Sequence, residues 1–442
     1  MTDELGIRRG HALRAAVEQG LVGEEEPVVG LLDITGIEHS ARALHAAFAT
    51  PGTAVTHTFA VKAASLVPVL ALLGECGLGA EVASPGELAL ARAAGIPADR
   101  TVLDSPAKTP AELREALAFG IAVNVDNPRE LARIDALLAG APSSSPVGLR
   151  VNPQVGGGSI GAMSTATATS KFGVALRDPG AEEWVLRAYA ERPWLNRLHT
   201  HTGSQGVPLA LMAAGVRAAY ELAERINAAA GRQQITVLDI GGGLPVNFGS
   251  DETTPAFADY AAVLRTEVPG LFDGRYGIVT EFGRSLLAKN GTVLARVEYA
   301  KSAGGRAIAV THAGAQVATR TVFVPEAWPI RVLALDATGV EKHGEPVVQD
   351  VAGPCCFAGD LVARARPLPL LDAGDHVALL DTGAYYFSNH FAYNSLPRPA
   401  VHGYTAHPDG SVDFAPVRTA QTREELLAES GGGLPPLRRG LR

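Results

Sequence analysis

The sequence predicts an α/β protein, with a (β/α)8 TIM-like barrel followed by a C-terminal all-β domain. Eight apolar, strand-like runs alternate with helical patterns between residues 56 and 281. Each of the eight runs ends in a polar residue or a glycine. After Arg284 the texture changes to short strand-like segments separated by Gly, Pro and Asp turns. Strands alternating with helices are the pattern of parallel βαβ units, and about eight such units close a barrel. An open doubly wound sheet permits the same alternation. The count and the common polar rim favour the barrel.

In chain order, residues 1–27 are polar, with a short helix expected at 8–19 and an acidic run at Glu24-Glu25-Glu26. A strand is expected at 28–34 and an amphipathic helix at 38–48. The barrel strands are expected at 56–61, 79–83, 101–104, 121–125, 147–152, 196–201, 235–240 and 277–281, where apolar and β-branched residues cluster. Helical patterns fill most gaps, among them 85–94, 110–119, 128–138, 209–230 and 255–267. Several open on proline, whose missing N–H is harmless in a first turn. Further strands are expected at 291–299, 307–310, 330–334 and 376–380. The Gly- and Pro-rich tail, 431–442, reads as disordered.

Composition narrows the function classes. The chain has 442 residues, enough for a barrel and a second domain. A net charge of -8 argues against a nucleic-acid partner. Cys76, Cys355 and Cys356 make neither a disulfide framework nor a metal-ligand spacing, so no metal is expected. Met1-Thr2-Asp3-Glu4 lacks the basic and apolar regions of an export signal, and no apolar run approaches membrane-spanning length. The expectation is a cytoplasmic protein acting on a small molecule, with no membrane or nucleic-acid partner.

The rim is where a barrel of this kind does chemistry. The residues placed there are Lys62, Ser84, Asp104, Asn124, Asn152, His201, Gly241–Gly243 and Glu281. Lys62 ends an apolar strand, where desolvation shifts an amine's pKa and prepares it for a Schiff base with pyridoxal phosphate. A lone lysine is more often a snorkelling surface residue, so the other rim residues have to carry the argument. Gly241-Gly242-Gly243 lets backbone N–H groups approach a phosphate, in the barrel region where phosphate sites recur. Arg284 can hold the same phosphate bidentately. Glu281 can pair with a ring nitrogen and keep it protonated. One histidine of Leu198-His199-Thr200-His201 can lie on the ring face, and Ser204 can donate to the phosphate.

Several motifs occur in one order: Phe59-Ala60-Val61-Lys62-Ala63, Ser84-Pro85-Gly86-Glu87-Leu88, Ser170-Lys171-Phe172-Gly173, His201-Thr202-Gly203-Ser204-Gln205, Asp239-Ile240-Gly241-Gly242-Gly243, Glu281-Phe282-Gly283-Arg284, Gly353-Pro354-Cys355-Cys356 and Gly383-Ala384-Tyr385. Together they resemble the fold type III pyridoxal-phosphate decarboxylases, the ornithine/diaminopimelate decarboxylase family, and more closely its diaminopimelate branch. The resemblance spans roughly residues 28–405. It implies a barrel domain at 35–285 and a β domain combining 1–34 with 286–430. It also implies a homodimer with shared active sites and pyridoxal 5'-phosphate as cofactor. Lys62 would form the Schiff base and His201 would stack on the ring. Ser204, Gly241, Gly242, Gly243, Arg284 and Tyr385 would surround the phosphate, and Glu281 would pair with the pyridine nitrogen. The partner subunit's Cys356 would protonate the carbanion, a role that suits a weakly acidic thiol.

The sequence departs from the family at Ala64, Phe282 and Phe357. The last stands where the family carries an acid that grips a distal ammonium, and Asp360 is the nearest replacement. No second-carboxylate residue is assigned in 311–331. The expected function is therefore decarboxylation of an amino acid, or an amino-acid-derived intermediate, that lacks a free distal ammonium, with diaminopimelate and ornithine excluded. An amino-acid racemase or epimerase on the same barrel, and a cofactor-free binding protein, are the alternatives. Cys356 disfavours the first, and retention of Lys62, Glu281, Arg284 and the glycine run disfavours the second.

Overall fold

The computed structural model describes residues 2–436. Thr35–Asn290 form one compact unit, and the residues up to Ile34 join those from Gly291 onward in another. Strand β1 (Val28–Asp33) belongs to the second unit. The strands of the first are β2 (Val55–Ala60), β3 (Gly79–Val82), β4 (Thr101–Asp104), β5 (Ala122–Val125), β6 (Val147–Asn152), the two-residue β7 (Val174–Ala175), β8 (Leu195–Thr200), β9 (Val237–Asp239) and β10 (Gly277–Phe282). All pair in parallel, and the pairing of β5 with β6 closes eight of them into a barrel, with β7 appended to β6.

The helices follow local rules at their starts. Ser84, Thr109 and Asn127 each cap a helix by accepting backbone N–H bonds, and proline follows each cap. Ser84 thus accepts from the Glu87 N–H at 3.2 Å, which makes its rim position a helix start. The helix expected from residue 255 begins at Phe257. Helices at Val67–Glu75 and Ala181–Glu191 complete the alternation.

The barrel interior is layered because inward positions recur every second residue. Val102, Ala122, Val237 and Val279 form an apolar layer. Two residues further along the same strands come Asp104, Asn124, Asp239 and Glu281, all buried. The same direction therefore runs from hydrocarbon to charge before reaching the rim. Burying ions costs several kcal/mol each unless they are paired, so this layer marks where function overrides packing.

In the other unit, β1 lies between β11 (Gly291–Ala303) and β17 (Val401–Ala406). The sheet continues through β12 (Arg306–Thr311), β14 (Pro346–Ala352) and β15 (Leu361–Pro369) on one side, and through β18 (Val412–Arg418) on the other. β13 (Val332–Leu335) and β16 (His376–Leu380) form an attached pair that joins at β11. The N-terminal helix, Thr2–Glu18, buries Ala12, Leu13 and Ala16 against this sheet, and Arg8 pairs with Asp33 at 2.8 Å. Helix Ala315–Phe323 interrupts the strands. Of the expected disordered tail, 431–436 run as exposed turns, and 437–442 lie outside the described residues. Among the described residues, no helix is long and apolar enough to cross a membrane.

Candidate active site

Lys62 sits in the turn Val61–Ala63 directly after β2, with 41% of its side chain exposed. Its Nζ lies 2.5 Å from Glu81 Oε2. Glu81 comes from β3 and is buried. Burial pushes its carboxyl up to about 8, against the opposing charge of Lys62. Glu81 is absent from the rim residues expected from sequence, where Ser84 stands for this strand end. The period-two parity of β3 is the signal that points to it.

Glu281 is the hub of the buried charge layer. Its Oε2 accepts from His201 Nδ1 at 3.3 Å and stands 3.4 Å from His199 Nε2. Burial works against ionisation, but the His199 charge and the hydrogen bond from His201 outweigh it and hold the Glu281 carboxyl well below the usual range. Glu281 Oε1 is buried and has no hydrogen-bond partner among the described residues. Asp104 accepts from Arg150 at 2.7 Å and lies 3.7 Å from His199 Nδ1. Asp239 accepts from Asn124 at 3.0 Å and from Arg197 at 3.2 Å. His199, His201 and Glu281 each offer an atom within 4.8 Å of the others. With Glu281 facing both rings, the three form a buried ion-pair cluster.

The glycine run follows β9. Gly241 and Gly243 have φ of +66° and +85°, a region that favours glycine. A Cβ at Gly242 would collide with the Glu281 carbonyl, and one at Gly243 with that of Gly203. The segment therefore approaches neighbouring backbone too closely for any side chain. Arg284 is buried at the start of the turn Arg284–Leu287, and Ser204 is half-buried with its carbonyl accepting from the Val207 N–H. Lys62, His201, Ser204, Gly241–Gly243, Glu281 and Arg284 thus share the C-terminal end of one barrel. The unpaired Oε1 of Glu281 is an acceptor suited to a protonated pyridine nitrogen, the side-chain-free glycine run suits a phosphate, and Lys62 is an accessible amine. These residues fit pyridoxal phosphate.

Cys356, Phe357 and Tyr385 lie in the other unit. Cys356 is exposed, and its N–H donates to Asn394 Oδ1 at 2.8 Å. Cys355 is buried, and burial pushes its thiol up to about 11. Asp360 accepts from the Ala315 N–H at 2.6 Å and the Cys355 N–H at 2.7 Å. Its carboxylate pins the cysteine loop and is engaged with backbone. Phe357 stacks on Phe323, with centroids 5.5 Å apart, and meets Tyr393 edge-on. Tyr385 has φ of +70° and lies under the Arg320 guanidinium, 4.5 Å from its ring centroid. Arg320 also stands over Trp328, and its Nη1 is buried without a hydrogen-bond partner among the described residues. Nothing in the sequence singles out this arginine.

Residues 35–288, more than half of the chain, match the family model described as "Pyridoxal-dependent decarboxylase, pyridoxal binding domain". The chain is 33% identical over 376 residues to a diaminopimelate decarboxylase of Pseudomonas fluorescens, covering 84% of this chain and 85% of that one. It is 30% identical over 429 residues to that of Methanothermobacter thermautotrophicus, covering 95% of each. The crystal structure of Helicobacter pylori diaminopimelate decarboxylase complexed with L-lysine aligns with a TM-score of 0.81 at 26% identity, over 94% of this chain and 99% of that one. These relatives overturn the expectation that excluded diaminopimelate. That expectation rested on Phe357, with no second-carboxylate residue assigned in 311–331. Its ring is held by the aromatic neighbours of its own unit, and one missing carboxylate does not define what a site admits.

Proposed function

The chain belongs to the pyridoxal-dependent decarboxylases, and from that premise we propose that it releases carbon dioxide from diaminopimelate. Its cofactor is pyridoxal 5'-phosphate, and it is a carboxy-lyase. The observation that carries the substrate reading is the likeness to diaminopimelate decarboxylases over most of both chains, and Arg320, whose buried Nη1 lacks a partner among the described residues, is the residue we assign to the second carboxylate. Diaminopimelate is lysine carrying a second carboxylate, and a guanidinium with a buried, unpartnered nitrogen is a suitable donor to it. Lysine, bound in the Helicobacter structure, is what diaminopimelate becomes when one carboxylate leaves.

Bound at the rim, the cofactor supplies an electron sink for the carbanion left when carbon dioxide departs. The chain's residues do the rest. Lys62 must shed a proton before its amine can act as a nucleophile. Burial brings the Glu81 carboxyl close enough to an amine in proton affinity for a proton to pass between Nζ and Oε2. Glu281, held ionised, would offer Oε1 to the ring nitrogen. The Gly241–Gly243 backbone, Ser204 and Arg284, with Tyr385 as the family resemblance assigns it, would bind the phosphate, and His201 would cover the ring. Cys356 would supply its thiol proton to the substrate carbon that carbon dioxide leaves. We further propose that the chain works in the cytoplasm, as a homodimer whose sites draw on both subunits.

Purified enzyme given diaminopimelate is expected to release carbon dioxide and lysine in equal amounts. Arg320→Met should lower kcat/KM for diaminopimelate about a hundredfold, since losing a hydrogen bond to a charged group costs about 3 kcal/mol. Turnover of another amino acid with none of diaminopimelate would overturn the reading. Glu81→Gln should slow recovery of the visible absorbance when cofactor is added to stripped enzyme, by on the order of a hundredfold. An unchanged recovery rate would remove Glu81 from the proton path.

A further inference from the structure

We infer that His199 is a positioning residue for Glu281, a buried cation clamped between β4 and β10 that engages one carboxylate oxygen and leaves the other for the cofactor's ring nitrogen. The inference deepens the cofactor reading above and rests on it.

The geometry is specific. His199 is fully buried on β8, with Nε2 3.4 Å from Glu281 Oε2 and Nδ1 3.7 Å from Asp104 Oδ1. Among the described residues, neither ring nitrogen has a neutral hydrogen-bond partner, and Asp104 Oδ1 and Glu281 Oε1 are likewise unpartnered. A neutral imidazole here would leave a lone pair facing a carboxylate, at a cost no buried site tolerates cheaply. A cation satisfies both carboxylates at once.

The surrounding charges agree. Burial opposes the charged ring more than any single neighbour favours it, but Glu281 on β10, Asp104 on β4 and Asp239 on β9 together outweigh burial. The nearby cations Arg150 and Arg197 are already paired, with Asp104 and Asp239. The balance raises His199 to about 9. His201, two residues on, is lowered by burial. The two histidines of one strand end thus divide the work, with a charged one beneath Glu281 and a neutral one beside it. Without His199, the buried Glu281 carboxyl would drift upward and capture a proton. It would then no longer offer a negative charge to the ring.

Two measurements test this, and neither contains a substrate, so failure of diaminopimelate as a substrate leaves both readable. The first is nitrogen NMR of the full-length holoenzyme labelled at its 12 histidines. One imidazolium should persist at pH 8, titrate near pH 9 and be missing from His199→Gln. The second is reconstitution of cofactor-stripped chains with pyridoxal phosphate, compared with its carbocyclic analogue in which C–H replaces the ring nitrogen. His199→Gln should weaken binding of pyridoxal phosphate about tenfold or more and leave the analogue's affinity unchanged. Equal losses for both compounds would mean that His199 only supports the fold, and would overturn the inference. Should the variant not fold, the wild-type spectrum decides: no imidazolium among the twelve at pH 8 overturns it, and one titrating near pH 9 sustains it.

Discussion

Lys62→Ala is expected to fold normally, to lose the visible band of the lysine-linked cofactor on dialysis, and to lose nearly all turnover. The expected loss is about a thousandfold or more, as when a covalent nucleophile is removed from other enzymes. The fold survives because the Lys62 side chain is 41% exposed at the rim. Removing it leaves Glu81 buried, but burial already pushes that carboxyl up to about 8. Without the lysine the shift is further upward, so Glu81 is neutral at pH 7 and no naked charge is left inside. A thermal scan alongside the activity assay checks this. Full activity in the variant would remove Lys62 from the chemistry. The same variant tests the assembly. Mixed with inactive Cys356→Ala and allowed to re-pair at random, half the dimers carry one intact site of two, so about a quarter of wild-type activity should return. No recovery after confirmed exchange would exclude a shared site.

Glu281→Gln retains cofactor and is expected to turn over roughly a hundred- to a thousandfold more slowly, the range for removing one preorganised group from a developing charge. The amide cannot hold the ring nitrogen protonated, so the ring is a poorer electron sink. A second consequence follows inside the barrel. Glu281 is the largest of the charges that raise His199, and the others are Asp104 and Asp239. With it neutralised, the His199 titration should move downward from about 9 toward neutrality. The sign also fixes a stability effect. A histidine raised in the folded state contributes stability below its unfolded value of about 6.5 and loses it as pH rises through about 9. In Glu281→Gln this stabilisation should be smaller and should vanish at a lower pH, which melting curves across pH 6 to 9 would reveal. Wild-type rates in the variant would mean that Glu281 has no electronic role.

The sequence carries the barrel because its signals are local. Periodicity two in the strands, proline at helix starts and capping residues such as Thr109 and Asn127 are all read within a few positions. The rim residues Lys62, His201, Gly241–Gly243 and Glu281 are legible for the same reason, since each lies at or just beyond a strand end. Glu81 and His199 lie one step back inside their strands, where only parity with the other inward positions marks them. Arg320 has no local signal at all: its unpaired Nη1 emerges only when Trp328 and Tyr385 close around it.

What only the tertiary structure decides is which distant charges meet. Asp104 and Arg150 are 46 residues apart, and Asn124 donates to Asp239, 115 residues further along the chain. Val28–Asp33 likewise enter the middle of the second sheet, because β1 pairs with β11 and β17 from the other end of the chain. Phe357 shows the limit in the opposite direction. Its identity alone points to a substrate exclusion, yet its surroundings, Phe323 and Tyr393, are set by packing that no local pattern records. Local propensity determined the strands, helices and rim of this protein; the pairing of buried charge, which depends on low dielectric and on contacts across the barrel, was decided by the closed fold.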